Sequence, residues 1–224
     1  MKTYRIYSFV ALLSVSISAH AQGSFQNLDF ESANLSGSLP GGVPITNALP
    51  GWQGYLGGNQ TYIIIYDTLS LGAAAISVHD SASSKPPIQG SYSVILQPQF
   101  NPNNEPGRDS AAIAQSGQIP DGSLSVQFYS GSESMQATFN GQNIPLTQLG
   151  ATGSYLILGG DISSFAGQTG ELRFTMPSVA FSYNIPYLDN IMFSTQPVPE
   201  PSTLGLLALG ALFLGWQLRR EARR

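Results

Sequence analysis

The 224-residue chain contains no cysteine. Disulfides, thiolate-bound zinc, iron–sulfur clusters and thiol catalysis are therefore excluded. Charge is also scarce, since Asp, Glu, Lys and Arg make up 10% of residues, against roughly 25% in an average soluble protein. Six of the nine basic residues stand at the two ends: Lys2, Arg5, Arg219, Arg220, Arg223 and Arg224. Residues 22–197 hold three basic side chains (Lys85, Arg108, Arg173) and eleven acidic ones, a net charge of −8. Such a segment lacks the clustered cations that phosphate contacts need, so nucleic acid is not an expected partner. Helical periodicity is nearly absent from the same segment, and a parallel α/β sheet would need crossover helices. No G-x-S-x-G elbow, D-x-D-x-D-G loop or G-x-x-x-x-G-K-[ST] loop occurs, which leaves no sequence signal for a hydrolase elbow, an EF-hand or a nucleotide phosphate site.

What is present sorts into three parts. Residues 1–21 read as a secretory signal peptide: Lys2 and Arg5, a short apolar run from Ile6 to Ile17, then Ala19-His20-Ala21. Small residues at Ala19 and Ala21 place cleavage before Gln22. At the other end Val198-Pro199-Glu200-Pro201-Ser202-Thr203 precedes an apolar run from Leu204 to Leu218 and then the terminal arginines. A helix over about residues 201–218, with its arginines snorkelling, spans a bilayer, and the basic tail 219–224 favours a cytoplasmic C-terminus. Residues 22–197 between them form the expected globular domain.

The order Pro199-Glu200-Pro201, apolar helix, arginine cluster resembles the PEP-CTERM sorting signal of Gram-negative bacteria, here residues 198–224 with the motif at 198–203. The resemblance implies an exosortase as partner, a membrane-embedded cysteine transpeptidase-like enzyme. It also implies anchoring in the inner membrane before processing, and delivery to the cell surface or extracellular matrix afterwards. The prolines suit that role because they keep the segment out of the helix and accessible.

The middle reads as all-β. Val126 and Phe128 alternate with Gln127 and Tyr129; Met135, Ala137 and Phe139 lead to Asn140-Gly141, a hairpin signal, with Gln142 to Leu146 as the returning strand; Leu172, Phe174 and Met176 alternate again. Thr61–Tyr66, Ala73–Val78 and Tyr92–Gln97 are β-branched or aromatic runs of strand length. Turn clusters at Leu39–Pro44, Ser81–Pro87, Asn101–Gly107 and Pro120–Gly122 separate them. Short strands punctuated this way predict an antiparallel sandwich or barrel.

Several of these stretches resemble the galactose-binding-like jelly-roll β-sandwiches. Asn27-Leu28-Asp29-Phe30-Glu31 is similar to their first strand, Leu49-Pro50-Gly51-Trp52 to the segment that follows, Asp161–Phe174 to a turn of helix leading into a core strand, and Tyr187–Ser194 to the closing strand. The resemblance implies an antiparallel jelly roll. It also pairs Glu31 with Asp189 as ligands of a structural Ca²⁺, and carboxylates are the right hard donors; the alternative is that both bond loop backbone.

For sugar binding, aromatic faces stack on pyranose rings. Trp52 and Tyr55 in the Gly-rich loop after Pro50 are the candidates, with Tyr129 on the polar side of its strand and Tyr155 and Tyr183 behind them. Trp52 equally suits a core position. His79 is the one histidine of residues 22–197 and is expected to stand exposed where a strand meets a loop. No catalytic residue is assigned. The expectation is a non-catalytic, exosortase-sorted surface or matrix protein associated with extracellular polysaccharide. A protein-contact scaffold is the alternative, and a hydrolase drawing on His79 stands behind both.

Overall fold

The computed structural model describes residues 24–70, 72–99, 110–178 and 185–199. In chain order the elements are β1 (Gly41–Pro44), α1 (Ile45–Ala48), β2 (Gln53–Leu56), β3 (Asn59–Thr61), β4 (Ile63–Tyr66), β5 (Ala75–Asp80), β6 (Tyr92–Gln97), β7 (Ala111–Gln118) and β8 (Ser125–Ser130). They continue with β9 (Gln136–Phe139), β10 (Gln142–Ile144), β11 (Leu146–Ala151), β12 (Leu156–Asp161), a 3₁₀ turn (Ser163–Phe165), β13 (Thr169–Met176) and β14 (Tyr187–Ser194). They form an eight-stranded sheet, β1-β4-β5-β6-β14-β8-β12-β11, and a six-stranded sheet, β10-β9-β13-β7-β2-β3. The expected all-β sandwich is thus present. Among the described residues its strand-to-strand pairings are antiparallel apart from β4 and β5, which run parallel through Ile65↔Ser77.

Alternation places the core. Val126 and Phe128 of β8 and Leu172, Phe174 and Met176 of β13 point between the sheets and are buried. Phe128 meets Phe174 edge-on with centroids 4.9 Å apart, a geometry that adds to the roughly 1.5–3 kcal/mol gained by burying each such side chain. The Asn140-Gly141 turn forms as its chemistry demands, with φ of 49° and 75°, and β10 returns along β9.

Two local expectations are corrected. Asn27–Glu31 is a turn and not a first strand: Asn27 and Phe30 take φ of 51° and 60°, and Asn27 Oδ1 accepts the Ser32 amide at 2.9 Å. Leu39–Pro44, expected as turn, yields from Gly41 the edge strand β1, whose one proline, Pro44, blunts it against further pairing. Among the described residues no helix is long and apolar enough to cross a membrane. The signal peptide, the helix expected over 201–218 and the turn Asn101–Gly107 lie outside the described residues.

Candidate functional site

The three aromatic candidates fall in three different places. Trp52 is 3% exposed, inside the core. Its ring lies 5.7 Å from Phe30 and 6.4 Å from Phe174, and its indole N–H donates to Asn27 O at 2.9 Å. The expectation that Trp52 stacks on sugar is therefore corrected: both its apolar body and its polar edge are spent on joining the Asn27–Glu31 turn to the Leu49–Trp52 turn.

Tyr55 stands on the outer face of the six-stranded sheet. Register aligns two rows of outward side chains there. One runs Asn143, Thr138, Arg173, Ala114, Gln53; the other runs Gln136, Thr175, Ala112, Tyr55, Gln60. Each row crosses five strands, about 19 Å at ~4.8 Å per strand. Ala112 and Ala114 face outward yet are buried, and across their strand the Arg173 guanidinium carbon sits 4.0 Å from the Tyr55 ring centre. Arg173 Nε donates to Glu171 Oε1 at 2.9 Å, so its charge is balanced within its own strand. The face is amide-, hydroxyl- and phenol-rich, with Arg173 alone charged in the two rows.

Tyr129 stands on the opposite outer face, that of the eight-stranded sheet. It stacks on Tyr155 with centroids 4.5 Å apart, which pushes the Tyr155 hydroxyl pKa upward through local desolvation and the Tyr129 hydroxyl. Ile157 is its register partner on β12, and Met192, exposed, pairs with Gln127 one step along. Tyr183 lies outside the described residues.

The other half of that face is covered by residues 81–91. Tyr187 Oη donates to Pro86 O at 3.1 Å, and the Ile88 amide donates to Ser93 Oγ at 2.9 Å. Beneath them His79 is fully buried, not exposed as expected. Its Nδ1 is 2.6 Å from Ser83 Oγ and its Nε2 3.1 Å from Ser77 Oγ, and burial holds its pKa below the usual histidine value.

Glu31 and Asp189 converge on the end of this covering segment. Glu31 Oε1 accepts the amides of Ser91 and Tyr92 at 2.8 and 3.1 Å. Asp189, fully buried, accepts Ser93 Oγ at 2.5 Å and the Asn190 amide at 2.7 Å. Burial pushes the Asp189 carboxyl up to about 7, and the nearby Glu31 charge adds to the rise. Two hard carboxylates drawn together suit a divalent cation in charge and donor type, while both also bond the backbone. Among the described residues no group of three His, Asp or Glu side chains forms a metal cluster.

Sequence reading missed the row residues other than Tyr55. Their signal was present in β13, where Leu172, Phe174 and Met176 inward imply Arg173 and Thr175 outward. It was absent in β7, whose Ala-rich run has low strand propensity.

Pro199 is described, whereas Glu200 and Pro201, like Ala19, Ala21 and Gln22, lie outside the described residues. No curated protein and no solved structure matches the chain. Residues 197–220 match the PEP-CTERM protein-sorting motif, and that match implies export, an exosortase as processing partner, and a destination at or beyond the cell surface.

Proposed function

We propose that the protein is a non-catalytic surface or matrix component that associates with extracellular polysaccharide through the outer face of its six-stranded sheet. The observation that carries this reading is the pair of register-aligned rows around Tyr55 and Arg173. Amides, hydroxyls and a guanidinium spaced by the strand repeat suit the hydroxyls of an extended glycan, and Tyr55 supplies an aromatic surface. The rows hold no carboxylate and one balanced cation, so the ligand is an uncharged polymer; the −8 of residues 22–197 also disfavours a polyanion. A jelly-roll descent of the sandwich fits this use. The buried, serine-bonded His79 fits a structural role better than a base in a hydrolase.

The test is co-sedimentation of the processed protein with an insoluble uncharged polysaccharide. Replacing Tyr55 and Arg173 by Ala is expected to weaken retention at least tenfold, about 1.4 kcal/mol, with the unfolding midpoint nearly unchanged. Retention equal to the parent's rejects the face. A second reading, a scaffold working through protein contacts, draws on the uncovered patch of Tyr129, Tyr155, Ile157 and Met192. Self-association lost in Tyr129→Ala, without any glycan retention, favours it.

Ca²⁺ belongs to the same proposal as a structural ion held by Glu31 and Asp189. Added Ca²⁺ then raises the unfolding midpoint of the parent and leaves that of a Glu31→Gln, Asp189→Asn double variant in place.

A further inference from the structure

The sorting motif begins where the sandwich ends. β14 closes at Ser194, and the motif match opens at residue 197. The residues between are tied down. The Leu124 amide donates to Ser194 O at 2.8 Å, and the Ile162 amide donates to Leu124 O at 3.0 Å. Ser125 Oγ, from a fully buried serine, donates to Gln196 O at 2.7 Å. Fully extended, the four residues from Gln196 to Glu200 reach at most ~14 Å, little more than the ~10 Å that separates two packed sheets. A protein that grips Glu200 therefore meets the end of the sandwich.

That end is a rigid platform. The turn at Pro120–Gly122 locks onto the stretch after the 3₁₀ turn: the Ile119 amide donates to Gln168 O and the Gly167 amide to Ile119 O, each at 3.0 Å. Gly167, at φ 73°, leaves the space that the Asp121 carboxylate occupies, since a Cβ there would stand 2.4 Å from Asp121 Oδ1. The N-terminal segment arrives at the same pole, where Ser24 bridges Gln118 and the Phe25 ring lies 5.4 Å from Phe193.

We infer that this pole, built from Pro120–Gly122, Ser163–Phe165 and the end of β14, docks against the sorting enzyme while the tail is processed. The inference rests on the reading of the tail as an exosortase substrate. The enzyme and not the bilayer is the partner, because Pro120–Gly122, Ser163–Phe165 and β14 hold no Lys or Arg to meet headgroup phosphates, and the exposed Asp121 and Asp161 put carboxylates there instead.

The absence of cysteine makes the test direct. Single cysteines are placed in the full chain by Asp121→Cys or Ser164→Cys at this pole and by Ser154→Cys at the opposite one. A thiol-linked photo-crosslinker is attached in cells that carry the sorting enzyme. The expected result is chain–enzyme adducts from Asp121→Cys and Ser164→Cys at least tenfold above those from Ser154→Cys. A twelve-residue Gly/Ser spacer before Pro197, about 19 Å in root-mean-square length, abolishes the difference. Normal processing with no polar bias, or adducts to lipid in place of enzyme, overturns the docking and leaves the sorting reading standing. A tail left whole in the presence of the enzyme defeats the sorting reading and the docking together.

Discussion

Asp189 and His79 are buried groups of opposite sign in their effect on stability. Burial raises the Asp189 carboxyl to about 7 in the fold against ~3.9 unfolded, so without a bound cation it is mostly protonated below neutrality and ionised above it. The folded state then binds the extra proton between those values, so its stabilising contribution is full below about pH 4 and is lost as pH rises through 7. His79 is held neutral by burial, so its contribution is present above the usual histidine pKa and is lost as pH falls below it. Asp189→Asn removes the first effect alone. Relative to the parent, it should unfold at higher temperature at pH 8 than at pH 5, by a difference on the order of a few kcal/mol at about 1.4 kcal/mol per pKa unit. Parallel curves across that range would show that Asp189 is ionised in the fold. Trp52 is the second residue whose role burial decides. Trp52→Ala is expected to cost about 3–5 kcal/mol, and Trp52→Phe, which keeps an aromatic ring but leaves a smaller void and loses the bond to Asn27, about 2 kcal/mol. Thermal unfolding reads both, and a Trp52→Phe variant that folds normally yet loses glycan retention would restore the discarded stacking role.

The individual strands were more legible than their neighbours. Alternation in Ser125–Ser130, Gln136–Phe139 and Thr169–Met176 announced both the strand and its inward face, because a two-residue period is written in the sequence itself. Asn140-Gly141 announced its hairpin through backbone chemistry. Gly141→Ala, at φ 75°, is expected to lower stability by about 1–2 kcal/mol, measured as a shift in the unfolding midpoint, and an unchanged midpoint would mean the turn relaxes freely. Other features depend on long-range pairing. That Tyr55 shares a face with Arg173, with β7 between them, follows from register among β2, β7 and β13, which no local pattern encodes. The same gap explains Tyr129 and Tyr55, which look alike in sequence and end on opposite outer faces. It also explains His79, whose burial depends on a covering segment that reads as an ordinary turn-rich loop.

The molecule as a whole separates three tasks. One outer face is polar and charge-balanced, the other is half covered and half aromatic, and the pole where β14 ends carries the sorting motif. The motif was legible because its recognition depends on short linear order, and the all-β class because it follows from short alternating runs. The face that meets a ligand was not legible, since its two rows are assembled from six strands spread between residues 53 and 175. Mapping backbone amide shifts while an uncharged, soluble polysaccharide is titrated into the processed protein tests that assignment most directly. Perturbations gathered on β2, β7, β9 and β13, centred on Tyr55 and Arg173, are the predicted result; silence there, or shifts confined to Tyr129 and Tyr155 on the opposite sheet, would contradict it.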